Sequence, residues 1–290
     1  MAPVISSEIR FVEAEGVRLR AVLDGPMDAP GPPVVVLHGF TGSAESMAGV
    51  AASLSAARRV VRLELVGHGE SGAPKDLQPY TMSACSEQVL SAIAALELGP
   101  VHLLGYSMGG RAALATAVAQ PRAFASLVLV GATAGIADSA ERAERMIADE
   151  ALADRIEDQG IEAFVEAWMA LPLFASQARL GEAALARARA ERLQQRPEGL
   201  ANSLRGMGTG AQPPLHDRLA SIESPVLLVV GEADAKFRAI AAELERALPN
   251  ARVAVLADAG HAAHLEAPEA FATQVSAFFA AVEADEERGR

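Results

Sequence analysis

Short apolar runs recur along the chain, and most of them lead into a glycine. They are Pro33–His38 (PVVVLH), Arg59–Leu65 (RVVRLEL), Val101–Gly105 (VHLLG), Ala125–Gly131 (ASLVLVG), Pro225–Gly231 (PVLLVVG) and Ala251–Leu256 (ARVAVL). Runs this short and this continuously apolar fit strands buried on both faces. Between them the spacing lengthens to that of helices, over Ala44–Ala57, Met82–Leu96, Met108–Gln120 and Glu269–Val282. Ile9–Ala14 and Val17–Asp24 read as a hairpin around Glu15-Gly16, and Asp28–Pro33 as a linker. Alternating strands and helices predict an α/β fold with a mostly parallel, eight-stranded sheet and helices on both faces. The alternation stops between about Thr133 and Pro214, where the chain is charged, Ala-rich and without an apolar strand run. This predicts a helical cap insertion at residues 133–214, with residues 1–132 and 215–290 forming the core. The closing EADEERGR reads as a solvated tail.

Composition narrows the classes. With 51% hydrophobic residues, a core of this size can be filled. The 25 Lys and Arg against 37 Asp and Glu give a net charge of −12, which argues against a nucleic-acid partner. A local cationic site for a small molecule stays compatible with that sign. Cys85 is the single cysteine, so neither an intramolecular disulfide nor a cysteine zinc site is expected, and it reads as a packed helix residue. No basic start leads into an apolar run, and no apolar stretch approaches the ~20 residues of a membrane helix. A cytoplasmic protein with no membrane partner is expected. Nothing in the sequence specifies an oligomeric state.

The candidate chemistry starts at GYSMGG, where Ser107 stands between Gly105 and Gly109, after a strand and before a helix. A serine in so sharp a turn presents its hydroxyl above the sheet edge, beside free helix N–H groups. The hydroxyl needs a base. His261, in a loop after the last predicted strand, is best placed, while His264 reads as a loop support or pocket residue. An acid after the preceding strand would orient the imidazole; Asp234 is favoured, with Glu232 and Asp258 as alternatives. Two backbone N–H groups should face developing negative charge, from Met108 and from Phe40 in the LHGF turn, which His38 would brace. The histidines show no metal-ligand spacing, and no phosphate loop is present.

Together, LHGF, GHGES, GYSMGG, GEAD and GHAAHLE resemble the α/β-hydrolase superfamily over nearly the whole chain. That resemblance implies a Ser107–Asp234–His261 triad and a helical cap after the sixth strand. GYSMGGR, AERAER, a Trp followed by PLFAS, GEADAKFR and AGHAAHLEAP resemble, more narrowly, the menaquinone-pathway 2-succinyl-6-hydroxy-2,4-cyclohexadiene-1-carboxylate synthases. The narrower resemblance implies a cofactor-free elimination of pyruvate from an enolpyruvyl precursor, with the triad acting as a base. It implies a small anionic substrate held by Arg111, by Arg142 or Arg145, and by Arg192, with Tyr106 and Trp168 lining the pocket. On the residues alone, the cap arginines also fit a solvated helix face, and Arg111 a partly buried salt bridge. ELVGHGES departs from the family pattern at Glu64 and Val66, where a structural effect is expected. A carboxylesterase or carbon–carbon bond hydrolase of the same fold is the alternative, and a non-catalytic ligand binder the third reading.

Overall fold

The structure, a computed structural model, describes residues 7–289. Strands β1 (Glu8–Ala14) and β2 (Val17–Asp24) form the expected hairpin, with Glu15 and Gly16 both at positive φ (51° and 76°). A two-residue turn of that kind matches the twist of antiparallel strands. The six further strands are β3 (Val34–Leu37), β4 (Val60–Leu63), β5 (Val101–Tyr106), β6 (Phe124–Val130), β7 (Val226–Gly231) and β8 (Ala251–Leu256). All eight join one sheet in the order β1-β2-β4-β3-β5-β6-β7-β8. β2 runs antiparallel to β1 and β4, and β3 to β8 run parallel to β4.

Every residue of β3, β4, β6 and β7 is buried, which explains their lack of alternation. The two faces still separate by a period of two. Val34 and Val36 pack with α1 (Ala48–Leu54) and α9 (Pro268–Gly289). Val35 and Leu37 pack with α2 (Met82–Ala95), α3 (Met108–Ala119) and α7 (Ala235–Ala247). Charges near the end of RVVRLEL are paired: Arg62 binds Asp24 at 2.8 Å, and Arg20 binds Glu64 at 2.8 Å. Both pairs are buried, so loss of one partner would strand a charge.

Between β6 and β7 the chain forms α4 (Ser139–Met169), a 3-10 segment (Pro172–Leu180), α5 (Glu182–Leu193) and α6 (Pro197–Met207). Asp138 caps α4 by accepting from the N–H groups of Ala140 and Glu141. Gly160 (φ 80°, ψ 174°) breaks α4. These helices bury a small core of their own around Ile156, Phe164, Val165 and Leu200. Arg205 of α6 fastens them by binding Glu150, Asp154 and Glu157 of α4.

Two of the element limits that differ from expectation have a local reason. The helix expected over Ala44–Ala57 opens with a 3-10 turn, Glu45–Met47, before α1, because Ser43 Oγ takes the Glu45 N–H in a local turn. The closing helix runs on to Gly289 instead of leaving a loose tail after Val282. Its core contacts do end at Val282. Glu, Ala and Arg are good helix formers, and Glu283 anchors the extension by pairing with Arg58 and His102. No helix among the described residues is long and apolar enough to cross a membrane.

Candidate active site

Ser107 sits between β5 and α3 with φ 52° and ψ −108°. A non-glycine residue in that region carries about 1–3 kcal/mol of backbone strain. The turn closes only because its neighbours lack side chains. A Cβ on Gly105 would lie 2.2 Å from the Gly109 carbonyl oxygen, and one on Gly109 would lie 2.4 Å from that of Leu37. The sharp turn lifts the hydroxyl over the carboxyl edge of the parallel strands, the edge where α/β sheets place their sites.

Asp234 follows β7 and begins α7; its Oδ1 accepts from the Phe237 N–H at 3.2 Å. Its Oδ2 lies 2.9 Å from His261 Nδ1, and His261 Nε2 lies 3.1 Å from Ser107 Oγ. A carboxylate only accepts, so Nδ1 carries the proton and Nε2 is free to accept from the serine hydroxyl. Phe237 packs on the imidazole at 4.4 Å between ring centroids. Glu232 and Asp258 are both exposed, and they contact each other instead of His261. This chain of three groups can move a proton from Ser107 to His261 while Asp234 stabilises the imidazolium.

Phe40 and Met108 both border the same cavity as Ser107. Among the described residues neither N–H meets an acceptor, so both remain available for an anion. His38 braces the Phe40 turn: its Nδ1–H donates to Gly39 O at 2.9 Å, and Nε2 accepts from the Leu65 N–H at 3.1 Å. Gln195 ties this turn to the GHGES turn, donating to Gly42 O and accepting from the Gly69 N–H. Glu64 has the structural effect expected of it. Its carboxylate accepts from the N–H groups of Ala44 and Glu70 while it pairs with Arg20.

The cavity measures about 790 Å³. Tyr106, Trp168, Phe174, Leu204 and Met207 give it an apolar wall, and Arg111, Arg145 and Lys236 contribute positive charge. Asp138, Glu141, Glu144 and Glu243 also border it, but all four are exposed, whereas Arg111 is buried. The deep part of the cavity therefore carries a cation, and the acids stand at its rim. Burial pushes the Arg111 guanidinium down to about 10, with Arg145 adding repulsion, so it stays charged at neutral pH. Its Nη1 donates to Met207 O and to Gln212 Oε1, both at 2.8 Å; the salt bridge considered from sequence is absent among the described residues.

Tyr106, Trp168, Arg111 and Arg145 are thus brought together around Ser107. Arg142 and Arg192 do not border the cavity. Arg142 folds back from the first turn of α4 onto the carbonyls of Ile136 and Ala137. Arg192 donates to Ala188 O on its own helix; burial lowers its pKa, and its charge reaches Tyr106. His264 packs against Tyr106 at 4.4 Å between ring centroids, with the rings tilted by 54°, and does not border the cavity. Cys85 is buried on α2, its thiol pushed up to about 12 by burial. Sequence reasoning missed Lys236 and Gln212 as residues of the site. The signal for Lys236 was its place two residues beyond Asp234, in the first turn of α7. No group of three or more His, Cys, Asp or Glu among the described residues is arranged to hold a metal ion.

Four buried histidines make stability depend on pH, and burial lowers the pKa of His38 as it does those of His68, His102 and His264. Burial pushes His68 down to about 3, with His38 assisting, and His264 to about 3, with His261 assisting. Burial also takes His102 down to about 4. In the unfolded chain each titrates near 6.5. Below that pH the unfolded state binds protons that the folded state refuses, so stability present above pH 6.5 is lost as pH falls. The thermal midpoint is expected to fall steadily from pH 6.5 to pH 4.5, above the range where carboxylates contribute most. A midpoint unchanged across that interval would contradict neutral burial of these rings.

Residues 32–268 match the α/β hydrolase fold family. A Bacillus subtilis protein provisionally named 2-succinyl-6-hydroxy-2,4-cyclohexadiene-1-carboxylate synthase is 40% identical over 274 residues, 94% of this chain and 99% of its own length. The synthase of that name from Salmonella paratyphi C is 33% identical over 82% of this chain and 90% of its own. The solved structure of MenH from S. aureus superposes with a TM-score of 0.85 at 30% identity, covering 95% of this chain and 98% of that one. The chain belongs to the α/β hydrolase fold family and, within it, to the family of 2-succinyl-6-hydroxy-2,4-cyclohexadiene-1-carboxylate synthases.

Proposed function

We propose that the protein is a lyase. It eliminates pyruvate from 2-succinyl-5-enolpyruvyl-6-hydroxy-3-cyclohexene-1-carboxylate and leaves 2-succinyl-6-hydroxy-2,4-cyclohexadiene-1-carboxylate. The observation that carries this reading is the buried, unpaired Arg111 bordering the same cavity as the Ser107–His261–Asp234 chain. Such a cation suits a substrate with several carboxylates and has no use in the turnover of neutral esters.

In this mechanism Ser107 Oγ removes a ring proton as its own proton passes to His261, which Asp234 orients. The released electron pair forms a C2=C3 double bond, the pair of the existing C3=C4 bond moves to C4=C5, and the C5–O bond to the enolpyruvyl group breaks. The departing enolate takes up a proton at carbon and becomes pyruvate. The N–H groups of Phe40 and Met108 face the charge that develops as the proton leaves. Arg111 and Arg145 hold carboxylates, and Tyr106 and Trp168 enclose the ring. We take residues 133–214 as a cap on a core of 1–132 and 215–290. Its Trp168, Phe174, Leu204 and Met207 border the same cavity as Ser107.

Supplied with the enolpyruvyl precursor, the protein is expected to release pyruvate and the diene in equal amounts. No pyruvate at micromolar enzyme, with rapid turnover of small neutral esters, would assign the site to hydrolysis instead.

A further inference from the structure

We propose that Gln212 is a positioning residue: it holds the Arg111 guanidinium at the cavity wall while leaving its charge uncompensated, so that a carboxylate of the substrate becomes the counter-ion. This deepens the lyase reading and rests on it for the identity of the anion.

A buried cation is ordinarily paired with a carboxylate. Arg111 is held instead by two neutral acceptors, Met207 O and Gln212 Oε1. The acid whose charge reaches it, Asp149, is engaged elsewhere, by Arg145 at 2.8 Å and by the Gly210 N–H at 3.2 Å. Gln212 is fully buried. A guanidinium only donates, so the amide oxygen must face it, and the Nε2 group points away. Among the described residues that buried Nε2 finds no acceptor. A glutamate here would lose no hydrogen bond and would give Arg111 a partner of opposite charge. By local stability alone the position favours Glu, so the neutral amide is better explained by what Arg111 must bind.

The location supports the same role. Gln212 lies in the return from α6 to the sheet, its N–H bonded to Gly208 O. Beside it runs the outgoing chain after β6: Leu215 N–H bonds Ala134 O, and Gln212 Nε2 would lie 3.4 Å from a Cβ on Gly135. The two links between the helical insertion and the sheet therefore meet beside Gln212.

The test compares Gln212→Glu, Gln212→Met and Arg111→Met with wild type, using succinate as the probe, by calorimetry at constant ionic strength. Wild type is expected to bind succinate and Arg111→Met to lose binding. Gln212→Glu should bind about 10-fold more weakly or worse, because its carboxylate competes for the guanidinium. Its thermal midpoint should equal or exceed that of wild type. Gln212→Met should melt lower and bind succinate about threefold more weakly than wild type, because it loses the hold on Arg111 without adding a competing charge. A structural role alone would move stability and affinity together. The proposal is overturned if Gln212→Glu binds as wild type does, or fails to fold. It is equally overturned if Gln212→Met loses as much affinity, or if wild type binds no succinate. Wild type that binds succinate but releases no pyruvate removes the lyase reading and leaves the role of Gln212 standing.

Discussion

Ser107→Ala is expected to lower kcat for pyruvate release by about 1,000-fold or more, with KM changed by less than about threefold. In the proposed mechanism the hydroxyl meets the ring proton, whereas substrate binding rests on the arginines and aromatics around it. Alanine keeps the Cβ of serine, so the strained turn at φ 52° is neither relieved nor worsened. The thermal midpoint should therefore stay close to wild type, which separates loss of chemistry from loss of fold. His261→Ala should cost a similar factor, and the double substitution little more, because residues acting as one unit are not additive. Steady-state pyruvate assays on the three variants measure this. A Ser107→Ala enzyme within tenfold of wild type would remove the serine from the proton path.

The parts of this molecule legible in the sequence are those fixed by local pattern. Val34 to Leu37 read as a strand because both faces are buried, and the structure sends alternate residues into two different cores. Gly105 and Gly109 could be expected around Ser107 because a sharp turn excludes side chains there, and the distances bear on that point directly. Asp234 and His261 stand at strand ends, where chain order alone narrows the choice. Arg142 and Arg145 show where pattern stops. They lie three residues apart on one helix, and which of them reaches the cavity depends on how the chain enters α4. Arg142, in the first turn, finds the free carbonyls of Ile136 and Ala137; Arg145, one turn on, is past them. Arg192 turns back onto the Ala188 carbonyl of α5, a helix that packs on α4, on the Pro172–Leu180 segment and on the Glu45–Met47 turn, contacts with no local signature. Gln212 sits in a connection with no periodicity, and its partner lies 101 residues away in the chain. Such residues become visible only when hydrogen bonds are followed through the folded chain.

Arg111→Met should lower kcat/KM for the anionic precursor by about 100- to 1,000-fold, roughly 3–4 kcal/mol, the scale for losing one partner of a desolvated charge pair. Arg111→Lys keeps the charge but not the planar fork, so a loss of about tenfold is expected. The fold should tolerate Arg111→Met, because removing a buried cation that has no carboxylate partner relieves desolvation while breaking two neutral contacts. Labelling of Ser107 by a neutral fluorophosphonate should change far less than pyruvate release, since that reaction uses the Ser107–His261–Asp234 chain without an anionic ligand. The comparison turns on position. Arg111 follows Ser107 by one helical turn, and its own N–H bonds the Ser107 carbonyl at 3.0 Å, so a change there could also disturb the turn. If labelling and pyruvate release fall by the same factor, Arg111 acts by holding the turn that carries the serine. If pyruvate release falls alone, the guanidinium acts on the substrate, and the selectivity of this hydrolase-like site for an anion resides there.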